Sequence, residues 1–167
     1  MSTLNIGAGQ TSTISATARD ANNATISASG YTFTSSNNAI AVVSTGGQVV
    51  GLGAGTATIT VSLTLNGVTK TATVAVTVTG TLPTTVTVAA GANSDDFTPA
   101  LAAVARNGTV TWTFGARQHN VQFSSSGAPA GIGNSANTSV SRTFPTGGVF
   151  AYTCTLHANQ NGTIAVP

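Results

Sequence analysis

Apolar and polar residues alternate with a period of two along most of this chain, the pattern of strands with one buried face. The clearest runs are Gly55–Leu65 and Val68–Val78, and Asn66-Gly67 lies between them. Both turn residues tolerate positive φ, so the pattern predicts a two-residue hairpin. Shorter runs predict strands at Ser12–Ala18, Tyr31–Ser35, Ile40–Ser44 and Gln48–Gly51. Asp20-Ala-Asn-Asn, Ser35-Ser-Asn-Asn and Thr45-Gly-Gly are the turn signals among them. Beyond Thr81-Leu82-Pro83-Thr84 the alternation restarts at Thr85–Ala89. It continues at Gly108–Phe114, Asn120–Phe123, Thr138–Phe144, Val149–Cys154 and Gly162–Val166. Phe97 to Asn107 reads as a looser stretch.

Pro83 cannot donate to a central ladder and suits a linker. The expected organisation is therefore all-β, with two β-sandwich domains at residues 1–80 and 84–167. In the second, Val110, Trp112 and Phe114 share one strand face, as do Val121 and Phe123, and Phe150, Tyr152 and Cys154. These three faces are the expected core.

Composition narrows the function. Charged residues are 5% of the 167, five Lys+Arg against three Asp+Glu, with no basic cluster. A surface that tracks nucleic-acid phosphates is thereby excluded. Hydrophobic residues reach 41%, enough for packed sheets, but no apolar run is long enough for a membrane span. A Thr-, Ser- and Asn-rich, charge-poor β chain is expected outside the cytoplasm: periplasmic, secreted or at a cell surface. The start, Met-Ser-Thr-Leu, has no basic or apolar leader, which leaves a cytoplasmic chain or a signal peptide replaced by an initiator Met, and the second is expected. Asp95-Asp96 reads as a solvated turn rather than an acid/base pair.

Candidate chemistry concentrates near the C-terminus. Cys154 is the only cysteine, so it has no internal disulfide partner, and His119 and His157 are the only histidines. One thiolate and two imidazoles with a weak axial ligand form the donor set of a blue-copper electron-transfer centre. Zinc is the nearest competitor for such donors.

Two resemblances extend this reading. Gly9-Gln-Thr-Ser-Thr-Ile-Ser-Ala, Ser35-Ser-Asn-Asn-Ala-Ile-Ala-Val-Val-Ser and Gly53-Ala-Gly-Thr-Ala-Thr-Ile-Thr-Val resemble bacterial Ig-like domains of group 2. That likeness implies a spacer or surface-attachment module. From residue 84 onward the chain resembles the cupredoxins. Phe97-Thr-Pro, Gly108-Thr-Val-Thr-Trp112, His119-Asn120-Val121-Gln-Phe123 and Phe144 carry the likeness, with Gly148-Val-Phe150-Ala-Tyr152-Thr-Cys154, His157 and Asn161-Gly162-Thr-Ile-Ala-Val.

The cupredoxin resemblance implies a Greek-key sandwich holding one type 1 copper per chain. His119, Cys154 and His157 match the strong ligands. The spacing is similar to the short ligand loop of amicyanin-like proteins, where the axial residue is Met. Here Gln160 stands at that place, as in stellacyanin-like proteins. Asn159 and Asn161 compete for the role with shorter side chains. Asn120 is expected to bond across to the cysteine loop near Thr155. His157 is expected at an electron-transfer surface with Leu156 and Ala158, flanked by Ala128-Pro-Ala130 and Ile132. A redox protein is the implied partner, and no enzyme activity is expected. The rival functions are surface adhesion with a non-redox cupredoxin, and copper sequestration or delivery.

Overall fold

The structure, a computed structural model, describes residues 2–167 and is all-β, with no helix among them. The first half contains β1 (Ser2–Gly7), β2 (Thr11–Thr13), β3 (Thr32–Ser35), β4 (Ala41–Val43), β5 (Gln48–Gly51), β6 (Gly55–Leu65) and β7 (Val68–Thr79). Two sheets result, ordered β1-β7-β6-β3 and β2-β5-β4. The β6–β7 hairpin turns at Asn66 and Gly67, with φ of 49° and 79°, and Leu65 faces Val68. Ala41, Val49, Ala57, Ile59, Val76 and Val78 fill the space between the sheets.

The second half contains β8 (Thr85–Ala90), β9 (Phe97–Thr98), β10 (Leu101–Ala103), β11 (Gly108–Phe114), β12 (His119–Phe123), β13 (Ile132–Ser135), β14 (Thr138–Phe144), β15 (Gly148–Thr153) and β16 (Asn161–Val166). Its sheets are ordered β14-β11-β8-β9 and β10-β16-β15-β12-β13, a second sandwich. Trp112, Tyr152, Phe97, Phe114, Phe144 and Phe150 are the largest side chains of its core. Trp112 and Tyr152 meet edge to face at 5.5 Å, a preferred aromatic geometry. Cys154 closes one end of this core.

Some elements differ from the pattern reading. The run at Ser12–Ala18 pairs only over Thr11–Thr13, because its partner β5 begins at Gln48 and the ladder ends there. β1, β9, β10 and β13 emerge from segments whose apolar pattern is short or irregular. Parallel pairing secures two of them, Ser2–Gly7 along β7 and Leu101–Ala103 along β16.

The two sandwiches also share a buried seam. Val42, Val50 and Leu52 from the first meet Leu101, Ala103 and Ala165 from the second, and Leu82 of the linker packs against them. Consecutive apolar residues explain this seam, since adjacent strand residues point to opposite faces. Val49 enters its own core while Val50 enters the seam, and Ile164 and Ala165 divide in the same way. A strand buried on both faces reads as a continuous apolar run, as Val49-Val50 does.

Candidate metal centre

β12 and β15, joined through Gln122–Thr153 and Phe123–Tyr152 pairing, bring two distant segments to one end of the second sandwich. His119 opens β12, and Cys154 follows β15. The loop from Cys154 to Gln160 closes through the Cys154 amide, which donates to the Gln160 carbonyl at 2.9 Å. Asn159 takes a φ of 65°, which Asn tolerates better than most residues. His119, Cys154 and Gln160 are buried, at 0%, 4% and 1% exposure, and His157 is half-buried. Asn159 and Asn161, the competing amides, are exposed.

The donor atoms converge. Cys154 Sγ lies 4.0 Å from His119 Nδ1 and 3.5 Å from His157 Nδ1. Gln160 Oε1 lies 2.9 Å from His119 Nδ1 and 3.1 Å from His157 Nδ1. Metal bonds of about 2.3 Å to sulfur and about 2.0 Å to nitrogen put the two atoms roughly 3.5 Å apart on a tetrahedral ion and roughly 3.7 Å apart in a trigonal plane. The observed separations bracket these values, so the residues fit a small thiophilic cation.

Hydrogen bonds from behind strengthen the fit. Gly91 O lies 2.8 Å from His119 Nε2 and can only accept, so the ring proton belongs on Nε2 and the Nδ1 lone pair faces inward. Gln160 Nε2 donates to Asp96 O at 2.9 Å, which orients Oε1 into the centre. His119 Nδ1 and Gln160 Oε1 therefore turn lone pairs toward each other in a buried space. A proton or a metal ion held between the donors relieves this opposition.

Asn120 ties the ligand segments together. Its Nδ2 donates to Thr155 Oγ1 at 2.8 Å and to Asn134 Oδ1 at 2.9 Å, while the Thr155 amide donates to Asn120 Oδ1 at 2.8 Å. The Asn120 amide also donates to Cys154 Sγ, 3.4 Å away, which fixes the sulfur against β12.

At the outer edge of His157 the structure departs from the expected apolar rim. Arg117 Nε donates to His157 Nε2 at 3.0 Å, and Arg117 Nη2 pairs with Asp95 Oδ1 at 2.9 Å. Asp95 Oδ1 itself lies 3.6 Å from His157 Nε2. Leu156 and Ala158 are exposed nearby on the loop, whereas Ile132 is buried at 2% and cannot contribute to a docking surface.

Sequence reasoning thus missed the loop of residues 91–96 and Arg117. Gly91 O and Asp96 O hold His119 and Gln160 from outside, and Arg117, itself paired with Asp95, holds the edge of His157. Within this loop the hydroxyls of Ser94 and Thr98 donate to the Asp96 carboxylate and hold its pKa below the usual 3.8.

No protein-family model and no curated protein matches the chain. Solved structures do. A mutant amicyanin in its reduced Cu(I) form is 25% identical over 50% of this chain and 82% of its own, with a TM-score of 0.44. A mutant plastocyanin of fern is 26% identical over 48% of this chain and 99% of its own, also at 0.44. A purple cupredoxin from Nitrosopumilus maritimus is 22% identical over 49% and 99%, at 0.42. The solved structures to which this chain is similar are thus cupredoxins, each covering about half of it, and the chain itself brings together a His-Cys-His group with His119 and Cys154 buried and His157 half-buried.

Proposed function

We propose that the second sandwich is a one-electron carrier built on a single type 1 copper. His119, Cys154 and His157 are the strong ligands and Gln160 Oε1 is the weak axial one. The observation that carries this reading is the inward convergence of one thiol sulfur, two imidazole nitrogens and one amide oxygen, with His119 and Gln160 each held by a backbone carbonyl behind it.

Copper in such a set supplies a Cu(I)/Cu(II) couple that suits thiolate and imidazole donors alike. The chain's part is to keep the donor geometry constant between the two charge states. Gly91 O holds the His119 ring, Asp96 O holds the Gln160 amide, and Asn120 clamps the cysteine loop to β12. Burial of His119, Cys154 and Gln160 excludes water, which leaves the edge of His157 as the route to a redox protein. Four protein donors leave no face for a substrate, so the reading is a carrier and not an enzyme. The Ig-like resemblance of the first half fits a spacer or surface-attachment role in an extracytoplasmic protein. No helix among the described residues is long and apolar enough to cross a membrane.

Copper titration tests this directly. One equivalent should bind and produce an intense visible band from thiolate-to-copper charge transfer, and Cys154→Ser should abolish it. Gln160→Met should raise the reduction potential, because a carbonyl oxygen is a harder donor than a thioether and favours Cu(II). Each tenfold change in relative affinity moves a one-electron potential by about 59 mV. A wild-type protein that binds Cu(II) and stays pale would overturn the assignment.

A further inference from the structure

Arg117 and Asp95 contact the one ligand edge that the buried framework leaves open, and their hydrogen-bond chemistry conflicts with metal binding in an informative way. A neutral imidazole carries one proton. On His157, Nε2 receives the Arg117 Nε–H at 3.0 Å, and Nδ1 faces Gln160 Oε1 at 3.1 Å. Arginine can only donate, and Gln160 presents its oxygen because its amide nitrogen is committed to Asp96 O. Together these partners place the proton on Nδ1. That is the wrong tautomer for a metal approaching Nδ1.

Metal at Nδ1 requires the proton on Nε2, where it would confront the Arg117 N–H. The nearest acceptor is Asp95 Oδ1, 3.6 Å from Nε2 and already held by Arg117 Nη2 at 2.9 Å. A small swing of the ring or the carboxylate closes that gap to hydrogen-bond distance. Asp95 is one of only three side-chain carboxylates in the chain.

We infer that Asp95 and Arg117 are positioning residues for His157 that exchange roles on metal loading. Arg117 holds the metal-free tautomer, and Asp95 accepts Nε2–H and fixes the ring once Nδ1 is ligated. A carboxylate behind a ligating histidine orients the ring and raises its basicity. Arg117 stays in place through its ion pair with Asp95 and gives up only its bond to the ring.

This inference rests on the metal-site reading, and the test separates the two. Histidine side-chain ¹⁵N NMR of the singly protonated ring reports the tautomer of His157. In the metal-free protein the proton should be on Nδ1, and Arg117→Gln should shift it toward Nε2. In the Zn²⁺-loaded protein it should be on Nε2. Zn²⁺ competition with a chelator should then show weaker binding in Asp95→Ala, by about tenfold or more. Asp95→Asn, which keeps an acceptor oxygen, should recover most of that loss, and Arg117→Gln should bind several-fold tighter than wild type. A metal-free wild type with its proton on Nε2 would overturn the inference. So would an Asp95→Ala variant that binds one Zn²⁺ with unchanged affinity. If no metal binds at all, the metal-site reading fails, and the role exchange fails with it. The tautomer shift in metal-free Arg117→Gln would then still register the Arg117 contact.

Discussion

Asn120→Ala is the substitution that most directly probes how the site is held. The side chain is 4% exposed and makes three hydrogen bonds, to Thr155 Oγ1, to Asn134 Oδ1 and from the Thr155 amide. Each is worth about 0.5–1.5 kcal/mol net, and an unmade buried bond costs more. Thr155 and Asn134 are themselves exposed, so water can reach their freed groups. The expected destabilisation is therefore about 2–3 kcal/mol, in the lower part of the range for three buried bonds. The ligand loop would also lose its clamp to β12, which should weaken metal binding about 10- to 100-fold. Urea unfolding of the metal-free protein measures the first effect, and chelator competition measures the second. Asn120→Asp keeps the acceptor for the Thr155 amide but removes both donors. It also puts a carboxylate beside Asn134 Oδ1, so it should be no better than Ala in metal affinity. A loss below about 0.5 kcal/mol with unchanged affinity would show that β12 and the cysteine loop are held by something other than Asn120.

Two further predictions concern the core and the seam. The Tyr152 hydroxyl is buried without a hydrogen-bond partner, and burial pushes its pKa well above the ordinary 10.0. Above that pH the unfolded chain loses the proton and the folded one keeps it, so stability should fall by about 1.4 kcal/mol per pH unit. In the metal-free protein Tyr152→Phe should be nearly neutral at pH 7 and should remove this share of the alkaline loss. An identical alkaline profile in the two proteins would refute it. Val50→Asp places an unpaired carboxylate in the seam against Leu101 and Ala165, at a cost of several kcal/mol. The seam should open, with raised amide exchange in β10 and β16. Protection there equal to wild type would show that the seam does not couple the sandwiches.

Local chemistry determined much of this protein. Alternation alone marks β6, β11 and β14, because a sheet with one buried face imposes a period of two. The φ values of the Asn66-Gly67 turn follow from which residues tolerate them. The donors could be named because the chain has one cysteine and two histidines, and three of the four candidates lie within one short loop. Gln48–Gly51 was legible as a strand, but that Val49 and Val50 enter two different cores, and what lies across the seam, came only from the tertiary structure.

What holds the donors was a different matter. Gly91 reaches His119 across 28 residues, Asp96 reaches Gln160 across 64, and Arg117 reaches His157 across 40. The first two contacts are made by backbone carbonyls, which every residue carries and no side-chain pattern announces. β10 and β13 were silent for a related reason: short strands exist because a neighbour completes their ladders, not through their own alternation. The side chains that can bind a metal are a property of composition and local spacing. The direction in which each lone pair points is decided by tertiary structure, because the groups that restrain them come from other strands and loops.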